Sequence, residues 1–289
     1  MPGYTKIRHV WRGDVRHHWK TVNGSRIHWV EIGSPAGLPV LCVDGWMGSW
    51  EAFKGVMKYF DVRYRLIIVD IPGFGESEPL ATSHTVAHVS KFLKAFTDSI
   101  GLRRFHLLGL SFGGAVAIHF SATYPSYVEK LVVQGAPFYG KLFKRWMRFG
   151  SRVLTFPCMI RFVGIVFRRE RLVYRVLRSQ KDFLFATDVD IQRKAKRTGR
   201  ASPRAAMESA RDATRLDLRN YARRVRAPTL IIDGADVKLR ALAGWDLLRS
   251  LIPNSQLVLI RGAAHTVPGQ KPTEFSKEVF FFLRQDKRP

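Results

Sequence analysis

Two cysteines in 289 residues leave no material for a disulfide framework. Cys42 falls in an expected buried strand and Cys158 in a distant apolar stretch, so a reducing compartment, and with it a cytoplasmic location, is the expectation. Long apolar runs are missing too. The longest, residues 153–167, is broken by Pro157 and Arg161 and falls short of the ~20 residues a membrane span needs. Residues 1–20 mix charges with single aromatics and lack the apolar core of a secretory signal. Acidic side chains are scarce: 23 Asp and Glu face 48 Lys and Arg, a net charge of +25. Such an imbalance attracts acidic partners, whether anionic lipid, nucleic acid or an acidic carrier protein, and composition alone does not choose among them. The 46% hydrophobic content is ordinary for a globular chain of this length.

The run Gly109-Leu110-Ser111-Phe112-Gly113 follows the apolar stretch 105–108 and opens a stretch at 114–120 that reads as a helix. A serine between two glycines at a strand-to-helix turn is the pattern of a nucleophile elbow, in which the turn pushes the hydroxyl out over the sheet. By itself the five-residue match is weak; its strand-turn-helix setting gives it weight.

Around it the chain alternates. Strands are expected at 16–22 and 26–32 with Asn23-Gly24 as the hairpin turn, then at 40–43, 65–70, 105–110, 130–133, 229–232 and 257–260. Helices are expected at 50–59, 85–100, after Ser111, at 242–251 and at 273–283. An antiparallel start followed by strand-helix alternation implies a mostly parallel sheet with helices on both faces. Between residues 138 and 226 no strand pattern is visible. The expected organisation is a first core part at 1–137, a helical insertion at 138–226 and a second core part at 227–289. The insertion holds 24 basic against seven acidic side chains, +17 of the total charge. Within it, residues 193–204 are rich in Arg, Lys, Ala and Ser and read as a mobile loop.

A serine hydroxyl is a poor nucleophile at neutral pH and needs a base, which in turn needs an orienting acid. His265, in Gly262-Ala263-Ala264-His265 just past the last expected strand, is the candidate base. Asp236, after the turn in Asp233-Gly234-Ala235-Asp236, is preferred as the acid, with Asp233 as its competitor. The order serine, acid, histidine fits a sheet of this kind. For the developing oxyanion, the N–H groups of Phe112 and of Trp46, in the glycine-bearing loop 44–50, are the candidates.

With these residues in hand, the chain resembles the α/β-hydrolase family over nearly its whole length. The elbow, Asp44-Gly45-Trp46, the turn Asp70-Ile71-Pro72-Gly73-Phe74-Gly75 and Gly262 to His265 are similar to that family's landmarks and stand in its order. The resemblance implies an α/β-hydrolase fold, that is, a doubly wound eight-stranded sheet with a lid inserted after the sixth strand, no cofactor and no metal. It also implies an ester-cleaving Ser111 rather than the aspartate of dehalogenases and epoxide hydrolases. The lid of the family lines the substrate pocket, so Phe138 and Trp146 are expected near substrate, as is Gly45 of the loop 44–50; the substrate expected is a hydrophobic or lipid-like acyl ester. A thioester or a carrier-bound methyl ester is the alternative, since Gly45-Trp46 and Ala263 to His265 are faintly similar to the pimeloyl methyl-ester esterases. Two departures stand out. The family's His-Gly is replaced by Asp44-Gly45, placing a carboxylate beside the oxyanion hole, and Val237 holds the place common for the acid. These motivate a third reading, a weakened binding protein on the same fold.

The insertion interleaves aromatic and basic residues, as in Lys144-Arg145-Trp146-Met147-Arg148-Phe149. Such a helix either lies in an anionic membrane interface or packs its aromatics on the catalytic core with its arginines in water. No nucleic-acid-binding signature accompanies the basic residues.

Overall fold

A computed structural model of the chain describes residues 14–59, 61–179, 188–236 and 244–285. Eight strands form one sheet: β1 (Arg16–Val22), β2 (Ser25–Ile32), β3 (Leu38–Val43), β4 (Tyr64–Val69), β5 (Phe105–Leu110), β6 (Val128–Gln134), β7 (Thr229–Gly234) and β8 (Ser255–Ile260). Their spatial order is β1-β2-β4-β3-β5-β6-β7-β8. The two pairings that involve β2 are antiparallel and the rest parallel. Asn23, at φ 51°, and Gly24, at φ 81°, make the turn that starts the sheet, as the sequence leads one to expect.

The central strands are apolar on both faces because both faces are covered. Leu41, Val43, Leu107, Leu131 and Val133 point to one side, where they meet α2 (Val86–Ser99) and α3 (Phe112–Thr123) through Phe92, Phe96 and Phe120. Val40, Cys42, Leu108, Val132 and Ile232 point to the other, against Phe275, Val279 and Phe280 of the C-terminal helix Pro272–Arg284. Residues 50–59 differ from the single helix expected there: a 3-10 turn at Trp50–Phe53 runs into a one-turn α1 at Lys54–Met57. The helix expected at 242–251 begins, within the described residues, at Trp245 after a left-handed Gly244.

From β6 to β7 the described chain is helical apart from an isolated bridge between Tyr139 and Asp217. Successive helices are α4 (Arg145–Val153), α5 (Pro157–Phe167), α6 (Glu170–Ser179), α7 (Asp188–Thr198), α8 (Pro203–Ala213) and the short α9 (Arg219–Ala222). The loop expected at 193–204 is corrected: most of it is the second half of α7 and the turn into α8. Ile191, Ala195 and Thr198 recur at helical spacing and are buried, an inward stripe that the surrounding Lys and Arg mask in the sequence.

Candidate active site

The parallel strands deliver their C-terminal ends to one edge of the sheet, and the site residues gather there. Ser111 follows β5 at φ 50°, ψ −118°, a region that a side-chain-bearing residue enters only at a cost of about 1–3 kcal/mol. Its N–H donates to Gln134 O (2.6 Å) and its carbonyl accepts from Gly114 N (2.8 Å), bracing the turn. The two glycines are required by space. A Cβ on Gly109 would run into the Gly113 carbonyl, and one on Gly113 into the carbonyls of Val43 and Asp44. The elbow is thus wedged between its own helix and the end of β3.

The loop after β8 brings His265 back over this turn, and its Nε2 lies 3.1 Å from Ser111 Oγ. That is hydrogen-bond reach for a base and its nucleophile. Space for the ring is supplied by Gly135: a Cβ there would stand 2.7 Å from His265 Cε1 and 2.9 Å from Nδ1. Burial holds the imidazole below its usual range, Lys194 pushes the same way, and the Asp233 carboxylate opposes both.

The acid is where the sequence reading needs correction. Asp236 is exposed, and its backbone N–H donates to Ala263 O (3.0 Å). The carboxylate whose charge acts on His265 is that of Asp233, buried at the end of β7. Its Oδ1 accepts from Gln134 Nε2 (2.9 Å) and from Gly234 N (2.9 Å), and its Oδ2 accepts from the Trp245 indole (2.8 Å). Burial raises the Asp233 carboxyl above its ordinary range, while His265 and these three donors pull it down. Gln134 also donates to the His265 carbonyl (2.8 Å), so one amide ties acid and base segments together. Gln134 and Trp245 escaped the sequence reading. The available signal was a glutamine and an aspartate ending otherwise apolar strands, Leu131-Val132-Val133-Gln134 and Leu230-Ile231-Ile232-Asp233.

Gly45 lies against Ser111, where a Cβ on the glycine would come within 2.9 Å of Ser111 Cβ. The N–H groups of Phe112, which follows Ser111, and of Trp46, which follows Gly45, have no protein acceptor among the described residues. Asp44 turns its carboxylate back into its own loop, Oδ1 accepting from Gly45 N (2.6 Å) and Oδ2 from Ser49 N (2.9 Å). Burial, with a smaller push from Asp70, lifts it to about 6, against the pull of Arg197 and of those two N–H groups. Arg197 and Lys194 both come from α7, and the Lys194 ammonium is itself lowered by burial and by Arg197 while Asp44 opposes. The insertion therefore brings positive charge to Asp44 and to His265.

Phe138 and Trp146 fare differently from expectation. Phe138 is fully buried in the core beside Gly244. Trp146 faces solvent and is corrected from pocket lining to outer surface. Among the described residues no group of three or more His, Cys, Asp or Glu side chains is arranged to hold a metal ion.

A family model described as the alpha/beta hydrolase fold matches residues 39–272. The chain belongs to the α/β-hydrolase family. A 2-hydroxy-6-oxononadienedioate/2-hydroxy-6-oxononatrienedioate hydrolase of Cupriavidus pinatubonensis is 27% identical to it, over 89% of this chain and 90% of that one. A hydrolase of the same name from a Pseudomonas species is 33% identical over 39% of this chain, a match spanning only 41% of the relative's length. Among solved structures, a bromoperoxidase from Bacillus anthracis superposes with a TM-score of 0.78 at 20% identity, covering 93% of this chain and all of that one, which is a likeness of fold.

Proposed function

We propose that the protein is a serine hydrolase that cleaves a carboxylic ester of a hydrophobic or lipid-like acyl group through an acyl-enzyme. The observation that carries this reading is the 3.1 Å approach of His265 Nε2 to Ser111 Oγ on a strained elbow. Ser111 Oγ attacks the carbonyl carbon and passes its proton to His265 Nε2. Asp233 orients the imidazole and offsets the positive charge it gains. The N–H groups of Phe112 and Trp46 stabilise the oxyanion, a contribution of roughly 3 kcal/mol per donor where such donors have been removed. His265 then gives its proton to the leaving alkoxide; water, deprotonated by the same histidine, releases the acid and restores Ser111.

The test is labelling by a fluorophosphonate, comparing the native chain with Ser111→Ala, followed by turnover on p-nitrophenyl esters of graded acyl length and on an acyl thioester. Labelling that vanishes in the variant, with ester turnover exceeding thioester turnover, is expected. Preference for the thioester moves the reading to a thioesterase. No labelling of the native chain leaves a binding protein on a hydrolase fold.

A second reading is favoured by Lys194 and Arg197. The relatives named for an oxononadienedioate hydrolase act, by that name, on a dianion, and two cations beside the oxyanion loop suit an anionic substrate cleaved by the same serine. Turnover of such an oxo-dienedioate in preference to neutral esters would establish it.

A further inference from the structure

Helices of a globular protein turn their apolar stripe inward. In the outer part of the insertion many large apolar side chains instead face solvent, although Val163 of α5 and Val173 of α6 are buried. On α4 the inward position is the buried Ser151, whose hydroxyl is 2.8 Å from that of Thr214, while Trp146, Phe149 and Val153, at i, i+3 and i+7, face solvent. Trp146 is 70% and Phe149 68% exposed. The turn to α5 leaves Phe156 out, and α5 presents Phe162 and Ile165 while its other side rests on α8, Gly164 facing Pro203. Nine of the sixteen exposed large apolar side chains among the described residues fall between 146 and 176, about a tenth of the chain. A concentration of that kind marks an interaction surface.

The charge around it is of one sign. From Lys141 to Ser179 there are eleven basic residues and one acid, Glu170. Only Arg178 among them reaches a carboxylate within the described residues, at 3.9 Å from Asp188. Arg148, Arg152, Arg211 and Arg215 crowd together closely enough for the other three to oppose the charge of Arg215. Such a face repels a second copy of itself. Trp146, Phe149, Phe156 and Phe162 stand 58–70% exposed along α4, the turn after it and α5, and such protruding side chains suit a fluid surface that closes around them better than a folded protein partner. No single helix among the described residues is long and apolar enough to cross a membrane; α4 and α5 together have the length and composition for it but meet at 95°, a bend that suits a wedge entering one leaflet.

We propose that α4 to α6 form a docking face for anionic phospholipid bilayers, with Trp146, Phe149, Phe156 and Phe162 entering the acyl boundary and the flanking arginines meeting headgroup phosphates. The face stands on its own and does not require the hydrolase reading. Behind it lies α8, whose Ala206 carbonyl holds the Trp46 indole (2.8 Å), so docking places the membrane one helix layer from the loop beside Ser111.

The full chain, in its native and Ser111→Ala forms, is sedimented with vesicles of phosphatidylcholine alone and of phosphatidylcholine with phosphatidylglycerol, at low and at high salt. Binding to the anionic vesicles at low salt, weakened by salt, is expected for both forms. The variant Trp146→Ser/Phe149→Ser/Phe162→Ser keeps every charge and is expected to bind at least about tenfold more weakly. Unchanged circular dichroism of that variant shows that the fold is kept; where it is not, the single change Phe149→Ser takes its place. Absence of binding at low salt overturns the proposal. So does undiminished binding of the apolar variant, which marks mere adsorption of a basic protein, and so does soluble polyglutamate that competes as well as the vesicles, which points to an acidic polypeptide instead.

Discussion

The sheet and the outer insertion are built by opposite rules. In the sheet, apolar side chains alternate between two covered faces, and buried polar groups such as Asp233 and Gln134 occur at strand ends with partners in place. In α4 to α6 nine large apolar side chains stand outside, although Val163 and Val173 are buried, and among the described residues the cations there lack carboxylate partners, apart from Arg178. Folding stability is thus concentrated in the first region and leaves the second free to be shaped by what it touches. A net charge of +17 within the insertion has the same consequence, because self-repulsion there carries a cost that an anionic surface removes.

The largest effect expected from this contrast lies at the sheet edge. Asp233→Asn lowers turnover by about 10³–10⁴-fold, the size seen when an orienting acid is lost, whereas Asp236→Asn leaves it within about twofold. Steady-state rates on one ester check both, and equal losses would break the assignment of roles to the buried and the exposed aspartate. Next come two truncations of one residue type. Phe120→Ala, in the core, costs about 3–5 kcal/mol in urea unfolding, while Phe149→Ala, on the surface of the insertion, changes stability by no more than about 0.5 kcal/mol. A comparable loss at both sites would mean that the outer face is packed after all.

Smaller effects probe how the insertion reaches the site. Asp44→Asn removes a charge that opposes the oxyanion, so turnover rises by roughly three- to tenfold at pH 8, at about 1 kcal/mol of stability for the altered loop hydrogen bond. Since the Asp44 carboxyl sits at about 6, it is protonated in the native protein below that pH, and the advantage of the variant shrinks there. A pH series on both proteins measures it. The smallest change is for Lys194→Gln. The ammonium depresses His265, so its removal lets the imidazole hold its proton to higher pH. The acid limb of the rate profile therefore shifts upward.

Much of the architecture was legible because it rests on short-range rules. Glycines at 109 and 113 around Ser111 and a turn of type Asn-Gly at 23–24 specify backbone geometry locally, and strand-helix alternation specifies a parallel sheet. The approach of His265 to Ser111 was legible from its place after the last strand. The acid was not, because distance along a loop says nothing about which of two aspartates, three residues apart, points inward; burial decides it, and burial of Asp233 depends on Gln134 and Trp245 from other elements. Helix α7 was hidden by its surface charge, and the outward turn of Trp146 by the general rule that aromatics go inside.

The hydrogen bonds of α8 divide the insertion into a fixed floor and an upper storey. Besides the Trp46 indole on Ala206, Ser202 N reaches Gly73 O (2.7 Å), Glu208 accepts from the N–H of His84 (2.9 Å), Asp212 accepts from Val86 N (2.7 Å), and Arg204 reaches the Leu80 carbonyl. The floor is thus bolted to the loop that follows β4 and to the first turn of α2, and α4 rests on it through the contact of Ser151 with Thr214 (2.8 Å).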